Sequence, residues 1–394
     1  MDSAATGGAR VAELRKARGL TQAALARRAG ISVSLLSKIE IGDRALTPGV
    51  AAAIARALQI SLGALYGEAE VSLDQGVQLE NLRTAVRRYD IPDQAPLSDP
   101  AQLRLEVDQA IILVEQADLA GLLRMLPGLL TRATTYAHAA ASPEGWALLA
   151  DVYYPVYYLG ARHRWMDLVE IALIREAWAA AQQPNPLVTA IAAAERAGTF
   201  FHCGDFEGGL TVVDRAIVTA ETALTGREKA FATGPLHLRG MTLAGGLKDP
   251  TEAQRHIRAA WTAAEEFPHD LRLHGWLFGP ANTAAHVLDT EEDLGRPREV
   301  IRLAEKVMEK DTVLRPMRIA GVHINTARAY LDLGDRDGAQ TSLLQAWDVA
   351  PQKARVHPMS REVLRVLISL HRRSNPQLVT LAKRAGLTGE RGTL

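Results

Sequence analysis

The chain has 394 residues, 45 Lys/Arg against 45 Asp/Glu, 47% hydrophobic residues and a mean hydropathy of −0.04, which fits a globular protein too long for a single core. One cysteine, Cys203, excludes a disulfide framework. The opening MDSAATGGAR lacks the apolar core of a signal peptide, and no run approaches the ~18 apolar residues of a membrane span, so the expectation is a cytoplasmic chain with no membrane partner.

Five short helices are predicted in residues 1–67. Val11 and Leu14 mark one that ends near Gly19. In TQAALARRAGISVSLLSKIE, residues 21–40, Leu25, Ala26 and Ala29 follow an N-cap at Thr21, and Leu35, Leu36 and Ile39 follow one at Ser32. Gly30 between them suits the left-handed residue of a sharp turn. Thr47-Pro48 opens a helix carrying Val50, Ile54 and Leu58, and Ser61 caps a last turn with Leu62 and Leu65. Helices below ~12–15 residues are marginal alone in water, so these are expected to pack as one small bundle.

The run LRKARGLTQAALARRAGISVSLLSKIEIG resembles the Xre-type helix-turn-helix domains of lambdoid phage repressors and Cro, and the resemblance extends over residues 10–66. It implies a lambda-repressor-like domain whose recognition helix, residues 32–39, enters the major groove of a double-stranded DNA operator. On that reading Val33, Ser34 and Lys38 face base edges, with Ser37 a weaker candidate. Gln22 is similar to the family's glutamine that touches phosphate and braces a recognition-helix side chain, and Ser32 heads the helix as a further phosphate candidate. Arg15 and Glu40 occupy positions that form a structural ion pair in the family. The usual glutamines at the head of the recognition helix are replaced here by Val33 and Ser34. Readout is therefore expected to rest on Lys38 against guanine acceptors and Val33 against a thymine methyl.

Charge segregates accordingly. Residues 1–67 hold nine Lys/Arg against four Asp/Glu, whereas the remainder holds 36 against 41, a basic head on an acidic body. Arg27, Arg28 and Arg44 are the candidate phosphate contacts, and each is equally readable as an ordinary solvated arginine. A small helical bundle also occurs without DNA, so the alternative is an assembly module on an interaction scaffold.

Residues 68–100 read as a helical linker. Leu79, Leu82, Val86 and Tyr89 form one amphipathic stripe that either docks on the next helix or pairs with its twin across a dimer, and three prolines in IPDQAPLSDP end it.

From 101 to 394 the periodic segments are helical, with no sustained strand alternation. ANTAAHVLD at 281–289 and INTARAYLD at 324–332 repeat at a spacing of 43, each followed by Leu-Gly and a second helix. GTFFHCGDFEGGLTVVDRAIVTA and LHLRGMTLAGGLKDPTEAQRHIRAAWTAA share the form, the latter with a capping box at Asp249-Pro250-Thr251-Glu252. The segment ARAYLDLGDRDGAQTSLLQAWDVAP resembles tetratricopeptide (TPR) repeats. It implies six or seven stacked helix pairs forming an α-solenoid with a groove. The fold class expected is thus all-α, a five-helix DNA-binding domain followed by a TPR-like solenoid.

Asn282 and Asn325 fall early in two first helices, where amides suit a peptide backbone, and the two-domain plan resembles the peptide-pheromone receptors of Gram-positive bacteria. His286 and Arg328 follow one turn on as candidate carboxylate contacts. The same asparagines are also readable as braces between repeats. In YYPVYYLGARHRW, Tyr154 and Tyr158 share a helix face beside Arg162, a constellation for an anionic or aromatic ligand or for core packing. Cys203 beside His202 makes no dyad, and no metal-ligand spacing, dinucleotide or phosphate loop appears. The expectation is a homodimeric regulator with a peptide or small-molecule effector, no enzymatic activity and no cofactor.

Overall fold

A computed structural model describes residues 7–60, 65, 73–94, 97–182, 185–309, 314–370 and 375–387. It is all-α apart from one short hairpin. The amino-terminal bundle comprises α1 (Gly7–Ala17), α2 (Gln22–Ala29), α3 (Val33–Ile41) and α4 (Pro48–Leu58), followed by α5 (Leu73–Arg87). The caps read from the sequence form as expected. Thr21 accepts from the Ala24 N–H, Ser32 from Leu35 and Thr47 from Val50. The expected Ser61 cap lies outside the described residues.

Seven helix pairs then succeed one another in sequence: α6 (Pro100–Gln116) with α7 (Leu119–Ala140), α8 (Pro143–His163) with α9 (Met166–Ala181), α10 (Pro186–Cys203) with α11 (Phe206–Ala223), α12 (Gly226–Leu247) with α13 (Pro250–Ala264), α14 (Pro280–Asp293) with α15 (Pro297–Val307), α16 (Pro316–Asp332) with α17 (Arg336–Val349), and, after a short α18 (Pro351–Val356), α19 (Pro358–Leu370) with α20 (Pro376–Arg384). Five of these helices open on a capping residue followed by proline: Asp99-Pro100, Ser142-Pro143, Asn185-Pro186, Asp249-Pro250 and Asn375-Pro376. The side chain bonds orphan amides of the first turn, while proline presents none where none is needed.

Two readings are corrected. The 265–279 segment holds an antiparallel hairpin, β1 (Leu271–Leu273) and β2 (Trp276–Phe278), in register Leu271 with Phe278. Its strands are too short to show alternation, and the turn at His274-Gly275, with φ of 47° and 77°, was its one signal. The capping box at 249–252 is half formed: Asp249 caps the Thr251 and Glu252 amides, but Glu252 turns to Arg255 instead of reaching back.

The chain divides into two compact units. One comprises 1–68, 288–309 and 319–394, and the other 69–287 and 310–318. In the second unit the first helices of successive pairs, α6, α8, α10 and α12, lie side by side. The α5 stripe is buried there at Leu79, Leu82 and Val86, packed on α7, with Tyr89 edge-on to Trp178 of α9. In the first unit, Gly7 N–H donates to Glu362 at 3.3 Å, and the Ser369 hydroxyl reaches Asp43 at 3.5 Å. Among the described residues no helix is long and apolar enough to cross a membrane.

Candidate nucleic-acid interface

The bundle is assembled around Val11, Leu25, Leu36, Ile39, Leu46, Ile54 and Leu58, all buried. Gly30, with φ of 66°, ends α2 and donates back to the Ala26 and Arg27 carbonyls, which sets the angle at which α3 leaves. An ion pair then bolts α3 to α1. Arg15 Nε and Nη2 donate to the two Glu40 oxygens at 2.7 and 2.9 Å, and Nη1 to the Leu20 carbonyl at 2.7 Å. Gln22 Nε2 donates to the same carboxylate at 2.8 Å. Burial pushes the Glu40 carboxyl up, but the bonds from Arg15 and Gln22 outweigh it and hold the group below its usual value. So Gln22 braces the Glu40 side chain at the end of α3.

What α3 leaves outside is narrow. Val33 is 46% exposed, Ser34 and Lys38 are exposed, and Ser37 is half-buried. At about 100° per residue these four positions cover roughly 140° of the helix, one continuous face. Ser32 is exposed but spends its oxygen on the Leu35 amide. Arg27 and Arg28 are exposed at the end of α2, where cations also complement the helix dipole. Arg44 differs: its Nη1 meets Asp332 Oδ1 at 2.9 Å, beside a cavity of about 50 Å3 bordered by Thr47, Arg328 and Val366.

The remaining sequence candidates fall in two places. Tyr154, Tyr158, Arg162, Asn282 and His286 belong to the second unit, and Asn325 and Arg328 to the first. Asn282 donates to the Leu277 carbonyl at 2.7 Å and accepts from Arg318 at 2.9 Å, and Arg318 Nη2 lies 2.5 Å from His286 Nε2. Asn325 donates to Asp289 at 2.7 Å, and Arg328 pairs with Glu292 at 2.9 Å. Arg318, which makes the first of these contacts, was missed by sequence reasoning because nothing near it in the chain marks it. Asp214, Glu252 and His256 have metal-ligand spacing, but the Arg255 guanidinium bonds both carboxylates and so fills the cation's role.

Residues 11–65 match the helix-turn-helix family model. No curated protein matches the chain. Residues 11–65 thus form a helix-turn-helix domain, which supports a DNA-binding transcription regulator at the family level.

Proposed function

We propose that the chain is a sequence-specific, non-enzymatic transcription regulator that reads double-stranded DNA as a homodimer and whose TPR-like helix pairs sense a peptide or small-molecule effector. The observation that supports it is the face of α3. Every helix of the bundle buries its apolar side, while Val33, Ser34 and Lys38 remain open on a helix held rigidly by Arg15 and Gln22. Such a helix presents side chains to a groove at little entropic cost. Dimerisation follows from size, since one module of this kind buries too little DNA surface for high specificity.

Random-sequence DNA selection with the full chain tests the reading. The expected product is an inverted repeat with half-site centres about 10–10.5 base pairs apart, or a multiple of that. Retention of DNA without sequence enrichment would overturn the regulator; enrichment of one unrepeated site bound by a single chain would remove the homodimer.

A further inference from the structure

The hairpin of the second unit touches three of the first helices, α6, α8 and α12. Arg272 pairs with Glu115 at the end of α6 at 2.5 Å, and His274 Nδ1 meets Asp151 of α8 at 3.1 Å. Gly275 lies against the Tyr154 ring, the Arg239 guanidinium of α12 sits 5.4 Å from the Trp276 ring centre, and Phe278 packs edge-on against Phe231. The hairpin is therefore a strap over the face where a repeat array of this kind would lay an extended peptide.

Beneath the strap is a polar cluster that the fold does not satisfy. Glu195 of α10 is fully buried, neither oxygen receives a hydrogen bond, and Arg239 Nη2 is 3.9 Å away. The Tyr158 hydroxyl is buried without a partner as well, and the buried Trp276 indole N–H faces Glu195 without reaching good hydrogen-bond geometry. Around this carboxyl stand the guanidiniums of Arg162, Arg239 and Arg318, the last of which also faces Asp270. They act on a common set of rings: Tyr158 feels Arg162 and Arg318, His202 feels Arg162 and Arg239, and His286 feels Arg318 and Arg239. Burial, reinforced by these charges, holds both histidines well below their usual values, so they stay uncharged at neutral pH. Burial likewise pushes the Glu195 carboxyl up to about 8, against the pull of Arg239 and Trp276, so at neutral pH it offsets little of the Arg162 and Arg239 charge. Arg162 contacts the Tyr158 face at 5.0 Å, its Nε is buried without a partner, and no carboxylate pairs with it among the described residues. Uncompensated charge in a half-buried place is costly until an opposite charge arrives.

We propose that this cluster binds a small organic anion, a carboxylate or phosphate on an aromatic body, with Arg162, Arg239 and Arg318 holding the anion and Tyr154, Tyr158 and Trp276 holding the ring. Glu195 supplies a proton donor at the same centre. The inference rests on reading the helix pairs as the sensor and narrows the effector, because the hairpin occupies part of the face on which an extended peptide would lie.

The test uses the full chain with indole-3-acetate and phenyl phosphate as probes and neutral indole-3-acetamide as control, followed by thermal melting and equilibrium dialysis at millimolar probe. Both anions, or one of the two headgroups, raise the melting temperature and the amide does not. Arg162→Gln binds the anion roughly tenfold to a hundredfold more weakly, and without probe it melts no lower than the parent, since a charge without a counterion has been removed. The site is refuted if neither anion acts, if the amide acts equally, or if Arg162→Gln melts lower yet keeps the anion response. An eight-residue peptide with a free carboxyl end is expected not to compete; competition would refute the strap's role. Sequence-selective DNA retention by the unmodified chain without probe is read separately, so the two readings fail independently.

Discussion

Glu40→Ala is the sharpest perturbation of the DNA-binding bundle. It deletes the acceptor of three short hydrogen bonds, at 2.7, 2.9 and 2.8 Å, and leaves the Arg15 guanidinium with the Leu20 carbonyl. Both partners are nearly buried, with side chains 10% and 5% exposed. Breaking such a pair from one side costs about 3–5 kcal/mol, because the surviving charge has lost its counterion, against the ~5–15 kcal/mol that holds a whole domain. Amide hydrogen exchange in the full chain reads the effect locally, and the amides of α1 to α3 should open roughly a hundredfold more often at 3 kcal/mol. The double variant Arg15→Met with Glu40→Leu should recover most of the loss, since an apolar pair pays no desolvation penalty. A single variant that changes protection by less than about 1 kcal/mol, or a double variant no better than the single, would refute the argument.

Three further outcomes are expected. Lys38→Ala weakens operator binding by about 1–3 kcal/mol and relaxes one base pair per half-site, whereas Arg27→Ala or Arg28→Ala weakens all sequences alike and flattens the salt slope; a salt series on operator and scrambled DNA separates them. Glu195 is neutral in the fold up to about pH 8 but ionises near 4.5 when unfolded, so its stabilising share is present at low pH and lost as pH rises through 8. The stability of the second unit should therefore fall by about 1.4 kcal/mol per pH unit between about 4.5 and 8 and level off above 8, and fall less steeply in Glu195→Gln, with the remaining slope carried by Glu176, which burial also pushes up. Asp332→Asn frees Arg44 from a pair whose side chains are 42% and 44% exposed, and the gain in DNA affinity should stay within about 1 kcal/mol and vanish at high salt.

Local rules made the bundle and the helix pairs readable. Caps at Thr21, Ser32 and Thr47, and Asx-Pro or Ser-Pro helix starts, act within four residues, so the sequence displays them directly. Tyr154, Tyr158 and Arg162 lie a turn apart on one helix, and the structure keeps them beside one another. Glu195, Arg239 and Arg318 belong to three different elements, each an unremarkable charge in its own segment until helix stacking supplies the others. The hairpin is invisible for a different reason. Strands of three residues carry too little pattern, and their pairing is fixed by the helices they cross.

The unit holding the DNA-binding bundle is built from both ends of the chain, with Gly7 bonded to Glu362 and Arg44 to Asp332. On the ribosome the bundle emerges before its carboxy-terminal partners, which at about 5–20 residues per second follow roughly 15–65 s later. Its own core, from Val11 to Leu58, is complete early, so it can fold while its docking side is bare. A nascent chain thus passes through a period in which the reading head exists and Arg44 has no carboxylate waiting for it.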